Sequence, residues 1–233
     1  MPEQDVREES RRYLRQRLAA GERLVVLPRR EPAPVQPSTP DETASEQDSM
    51  PRLAAEVADC KRCRLHATRR HAVPGVGPAD AGLVFVGEGP GAEEDEQGLP
   101  FVGRAGQLLT KIIEAVKLRR EEVFITNIVK CRPPGNRDPE PDEIAACEPY
   151  LRRQLQLLRP KVICALGRHA AATLTGGAGS MAQLRAGTAH YQGIRVFPTY
   201  HPAACLRNPQ WKRPVWEDIQ NVRREYDRQR EKS

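Results

Sequence analysis

The chain has 233 residues with 37 basic and 31 acidic side chains, a formal net charge of +6, and six cysteines. That length allows one domain of ordinary size plus an appendage. No apolar run reaches the roughly 18 residues a membrane span needs, and the N-terminus has neither a secretory h-region nor the acid-poor composition of a transit peptide, so the expectation is a cytoplasmic monomer with no membrane partner.

Residues 1–50 hold eight basic and ten acidic side chains, so the positive excess falls on the remainder. Arginine supplies most of it, and its planar fork suits phosphate oxygens. Beside a plain solvated surface, nucleic acid is the leading partner this balance admits. The segment "EPAPVQPSTPDETASEQDSM", Glu31 to Met50, is rich in proline, small polar residues and acids. It has too little apolar surface to offset its ordering entropy and reads as a disordered linker. Upstream, Val6, Leu14 and Leu18 are too sparse for a helical stripe. The expected organisation is therefore a largely disordered extension over 1–50 and a folded domain over 51–233.

From Pro51 the pattern is α/β. Strand candidates are Leu83–Gly87, Val123–Val129, Lys161–Leu166 and Ile194–Thr199, each short and apolar or β-branched. Between them, Ala105, Leu108, Leu109, Ile112, Ile113 and Val116 mark one amphipathic helix, and Ile144, Cys147, Leu151, Leu155 and Leu158 mark the next. "GRHAAATLTG" and "WEDIQNVRREYDRQR" complete the helices. Alternating strands and helices predict a single three-layer α/β/α domain around a four-stranded, mainly parallel sheet. In such sheets ligands bind beyond the carboxyl ends of the strands, so the loops there carry the information.

After the first strand comes "GEGPGAEEDEQGLPFVGRAG". It lacks both the spacing of a dinucleotide fingerprint and the lysine of a P-loop, and four consecutive acids from Glu93 to Glu96 would repel phosphate. After the second strand comes "TNIVKCRPPGNRDPEPDE", with Asn127 able to donate and accept at a base edge. After the last comes "FPTYHPAACLRNP", where the proline after His201 disfavours helix and presents the imidazole on a loop. Singly, Asn127 and His201 are more simply structural; together with Glu88 they fall at one edge of one sheet. Cys60 and Cys63 form "CKRC", and Cys131 and Cys147 stand 16 positions apart, a spacing that points to metal. Four thiolates suit zinc and iron–sulfur clusters equally.

These three motifs with the four cysteines closely resemble the iron–sulfur uracil-DNA glycosylases known as family four, over about Leu53 to Arg224. The resemblance implies a monofunctional glycosylase that flips uracil out of single- or double-stranded DNA, hydrolyses its N-glycosidic bond and leaves an abasic site for base excision repair. It implies a structural [4Fe–4S] cluster on Cys60, Cys63, Cys131 and Cys147; Cys164 reads as a buried strand residue and Cys205 as a non-ligand. Phe101 becomes the stacking platform, Asn127 the reader of uracil O4 and N3–H, and Gly87 and Gly89 the points of close backbone approach. His201 becomes the donor to uracil O2. Glu88 and Glu94 match functional positions. At Gly89 other uracil glycosylases carry a water-positioning aspartate, so the water falls to Glu94 as the leading expectation, with Glu88 the alternative and the other acids a solvated run. Arg132, Asn136 and Arg137 are implied phosphate contacts, and Leu206 and Arg207 the loop that wedges into the duplex. Lys130 suggests no Schiff-base role. Two rivals remain: a non-catalytic, metal-stapled DNA-binding module, and a superfamily member that bonds covalently to the abasic sugar through a histidine on an arginine-rich insertion, for which the segment after the second strand is too short.

Overall fold

The computed structural model describes residues 48–232; the expectations for residues 1–47 lie outside them. Strands β1 (Leu83–Gly87) and β3 (Val162–Leu166) are buried at every position. Strands covered on both faces have no polar side, which is why both read as unbroken apolar runs. They pair in parallel with each other and with β2 (Phe124–Asn127) and β5 (Ile194–Thr199). A fifth strand, β4 (Ala189–Tyr191), adds antiparallel to β5 and gives the order β2-β1-β3-β5-β4. The sequence reading expected four strands. Three residues are too few to show alternation, and the tight turn at Gln192 and Gly193, both at positive φ, was the available signal.

Helices α1 (Met50–Ala58), α4 (Pro141–Leu158) and α5 (Arg168–Thr175) bury one face of the sheet around Val84, Val86 and Ile163. Helices α3 (Arg104–Ala115) and α8 (Lys212–Glu231) bury the other around Phe85, Ile125 and Cys164. This is the expected three-layer arrangement. Short helices α2 (Ala92–Gln97), α6 (Met181–Ala186) and α7 (Pro202–Arg207) connect the layers. The folded part begins earlier than the composition predicted. Ser49 caps α1 by accepting from the Arg52 N–H, and Asp48 pairs with Arg153 at 2.8 Å, so Asp48 to Met50 belong to the body and not to the linker.

Gly87 pairs with Asn127, and Leu166 with Thr199. The ends of β1, β2, β3 and β5 therefore lie along one edge, with the chain leaving β1 and β3 toward opposite sides. That switch point opens a crevice.

Candidate active site

A pocket of about 350 Å³ occupies the crevice, with Glu88, Phe101, Asn127, Asp138, His201 and Arg207 in its wall. The size is that of a small-molecule site.

The acidic run beside it is not a solvated turn. It folds as α2, where acids in the first turn complement the helix dipole. The Glu94 carboxylate accepts backbone N–H groups from Gly91 at 3.1 Å, Val102 at 2.9 Å and Gly103 at 3.0 Å. It cross-braces the loop from both ends. Asp95 is buried and accepts the Arg70 N–H at 2.9 Å, while Glu96 pairs with Arg70 on the surface. Only Glu93 matches the solvated expectation, exposed and without an ion pair among the described residues.

Phe101 is held at φ +52°, an uncommon conformation for an aromatic residue. The α3 residue Gly106 makes this possible, because a Cβ there would lie 1.9 Å from the Phe101 carbonyl oxygen. Gly87 is equally constrained: its Cβ would meet Asn127 Oδ1 at 2.4 Å and Phe101 Cζ at 2.5 Å. Glycine at both positions lets backbone, ring and amide converge. The ring of His201 stands 5.5 Å from that of Phe101.

Asn127, at the end of β2, is 1% exposed, and its Oδ1 is buried with no hydrogen-bond partner. His201 is not in open loop but is the N-cap of α7, its Nδ1 accepting the Ala203 N–H at 3.2 Å. The sequence signal was the same proline, which is favoured in the first turn of a helix as well as after an extended residue. With Nδ1 accepting, the neutral ring carries its hydrogen on Nε2. Burial, reinforced by Arg207 and opposed by Glu94, pushes the imidazole down to about 4, so it is neutral at pH 7. Glu88 moves the other way: burial raises its carboxyl, and Asp138 adds to this while His169, Arg168 and Arg207 oppose it.

The residues expected to face DNA divide. Arg137 donates to Glu143 at 2.6 and 2.8 Å and Arg132 Nε to Asn136 Oδ1 at 2.7 Å, while Asn136 and Arg137 also line the pocket. These contacts shape the loop after β2. Leu206 and Arg207 are exposed at the end of α7, a helix where the sequence reading placed a loop.

Cys60, Cys63, Cys131 and Cys147 line one small cavity behind that loop. Their sulfurs are met by N–H donors: Arg62 N to Cys60, Arg69 Nη1 to Cys131 at 2.9 Å, and Lys130 N to Cys147 at 3.3 Å. Burial pushes the Cys147 thiol up to about 11, so holding it as thiolate requires a cation. Four cysteines around one cavity, with donors aimed at the sulfurs of three of them, fit a metal or cluster ligand set. Cys164 is buried within β3 and Cys205 within α7, both away from this cavity. Lys130 is fully buried, with Nζ donating to Thr126 Oγ1, the Asn127 carbonyl and Gln154 Oε1. Its ammonium faces the core and not the pocket.

Glu143 escaped the sequence reading. Its carboxylate is fully shielded and bonds Arg137, Arg64 and the Glu140 N–H, which hold it down at about 2. Arg64 follows Cys63 directly, so this one acid ties the "CKRC" segment to the loop after β2.

The family model for the uracil DNA glycosylase superfamily matches residues 74–220. A type-4 uracil-DNA glycosylase of Saccharolobus solfataricus is 49% identical over 76% of this chain and 86% of its own length. One from Sulfurisphaera tokodaii is 48% identical over 76% and 84%, and one from Thermotoga maritima 44% over 76% and 94%. With its pocket at the switch point, its three loop motifs and this extent of similarity, the chain belongs to the uracil-DNA glycosylase superfamily.

Proposed function

We propose that the protein is a monofunctional uracil-DNA glycosylase acting on uracil-containing DNA and leaving an abasic site in an unbroken strand. The observation that carries this reading is the buried, unpaired Oδ1 of Asn127 in a pocket also lined by Phe101 and His201. A buried acceptor without a partner is costly unless a ligand brings the donor. Uracil N3–H is such a donor; cytosine has no hydrogen there. The type-4 uracil-DNA glycosylases to which the chain is similar support the same substrate.

A flipped base stacks on Phe101, an interaction of about 1–3 kcal/mol, while Gly87 allows its close approach. His201 Nε2–H donates to uracil O2 as negative charge grows on the leaving base. Because the ring is neutral, it acts as a hydrogen-bond donor and not as a strong acid. Glu88 orients water toward the sugar carbon. The water oxygen bonds to that carbon, the N-glycosidic bond breaks with its electrons leaving on uracil, and the water proton passes to the Glu88 carboxylate. Glu94 is thereby assigned to bracing the loop, since its oxygens are engaged by three backbone N–H groups. Leu206 and Arg207 face the duplex, the leucine filling the vacated stack.

Cys60, Cys63, Cys131 and Cys147 would hold the [4Fe–4S] cluster that the family resemblance implies. Bound there, the cluster would cross-link the segment before β1 to the loop and helix after β2. Iron content and a broad visible absorption band test it against zinc.

The covalent rival needs a histidine at this edge. The loop after β2 has none, although α5 brings His169 next to it, with Nε2 2.9 Å from Asp138. A uracil-containing oligonucleotide decides among all three readings. Alkali-labile strands with no protein–DNA band on a denaturing gel are expected. A denaturation-resistant band would favour the covalent reading, and intact strands at enzyme excess the binding module.

A further inference from the structure

Glu88 does not stand alone at the mouth of the pocket. A carboxylate oxygen of Glu88, one of Asp138 and a ring nitrogen of His169 all lie within 4.8 Å of one another. They come from three different elements: the loop after β1, the loop after β2, and the first turn of α5. His169 Nε2 lies 2.9 Å from Asp138 Oδ2, within hydrogen-bond distance. Asp138 is the exposed member, at 68%, and the imidazole is 21% exposed, so the pair stands between Glu88 and solvent.

We propose that Asp138 and His169 form a charge pair that sets the ionisation of Glu88, and with it the pH range over which this carboxylate orients water. They are positioning residues acting through Glu88, and the inference rests on the role given to Glu88 above. The logic is Coulombic. A negative Asp138 makes a second negative charge at Glu88 harder to hold; a protonated His169 makes it easier. The other charged groups facing Glu88 are Arg168 beside His169 and Arg207 on α7, and both favour the carboxylate. The same three side chains have the composition of a divalent-cation site. However, Arg168 Nη2 lies 3.1 Å from His169 Nε2 and 3.9 Å from Asp138 Oδ2, putting a fixed positive charge where the ion would sit.

The test is the single-turnover rate on a uracil-containing oligonucleotide as a function of pH, for the parent, Asp138→Asn, His169→Gln and the double variant, all of the full chain. The acidic limb reports loss of the ionised carboxylate. Asp138→Asn removes a negative charge and should move that limb to lower pH. His169→Gln removes a positive one and should move it to higher pH, and the double variant should fall between them. Each single shift should be about half a pH unit or more, since a unit charge at about 5 Å has that effect even at the dielectric of water. Opposite shifts are a signature that a merely structural role would not produce, because misfolding lowers the rate at every pH without moving the limb in a charge-dependent direction. Profiles of both single variants superimposed on the parent, or shifted in the same direction, would overturn the proposal. So would an acidic limb in the parent that moves on treatment with EDTA. Glu88→Gln separates the two levels of the argument. If it keeps the full rate, the role of Glu88 itself is wrong; if it loses the rate while the pair variants leave the limb in place, only the present inference fails.

Discussion

The two sides of the loop after β2 are built on opposite rules. On the cysteine side, strong polar groups are met: Glu143 by two arginines and a backbone N–H, and the sulfurs of Cys60, Cys131 and Cys147 by N–H donors. On the pocket side, Asn127 Oδ1 has no partner, burial and Asp138 make ionisation of Glu88 unfavourable, and Phe101 is held at positive φ. Satisfied groups hold shape, and unsatisfied ones are left for a ligand to complete. Such local departures from ideal structure persist at functional sites because their surroundings over-determine them.

If that division is right, Glu143→Ala should have the largest effect on stability and almost none on chemistry per folded molecule. The substitution removes the shared acceptor of Arg137, Arg64 and the Glu140 N–H at once, so the unfolding midpoint should fall. Urea denaturation measures it. The pH dependence has a definite sign. Glu143 is held at about 2 in the folded protein, below its ordinary value of 4.5. Its contribution is therefore present above pH 4.5 and lost as pH falls toward 2, and Glu143→Ala should show less of that acid loss. An unchanged unfolding midpoint would remove Glu143 from the cysteine-side scaffold.

On the pocket side the expected pattern is reversed. His201→Ala should lower the single-turnover rate about 10²–10³-fold, the size of one preorganised donor or about 2.7–4 kcal/mol, with DNA binding unaltered. Full activity would show that no charge builds at that position. Phe101→Ala should come next, weakening capture of the flipped base by about 1–3 kcal/mol. Fluorescence of a 2-aminopurine placed beside the uracil reads the flipping step, and an unaltered signal would take Phe101 out of the stack.

Most of the architecture was legible because β1 and β3 are buried on both faces and α3 and α4 carry full amphipathic stripes, so periodicity spoke clearly. The edge strand β4 and the short α2 carried no such period. The placement of Asn127, Phe101 and His201 in one pocket, and of the four cysteines around one cavity, was legible from their motifs. Residue roles were not legible where the role depends on which backbone amides turn toward a side chain. Glu94 and Glu88 are both acids in one loop; only the three N–H groups aimed at Glu94 distinguish them. Asp138 and His169 lie 31 positions apart, with nothing local to pair them. Glu143 looked like one more surface acid at a helix start. Its burial follows from two arginines, one of them 79 positions away.

The smallest expected effect gives the most direct comparison of the two sides. Glu88→Gln removes charge and keeps shape. Because burial raises the Glu88 carboxyl above its ordinary value, its favourable contribution is present below that value and lost as pH rises through the folded one. Wherever Glu88 is ionised, its charge therefore costs folding free energy. Glu88→Gln should then slightly raise the urea midpoint at pH 7 while abolishing most of the rate, and the gain should vanish as acid neutralises the parent carboxyl. Glu143→Gln, the same chemical change some distance along the same edge, should destabilise at pH 7, with the loss shrinking in acid. Two glutamates given the same substitution would thus move stability in opposite directions, and the difference between them would close as pH falls. If both destabilise at pH 7, the pocket side holds its charge as comfortably as the cysteine side, and the division between them fails.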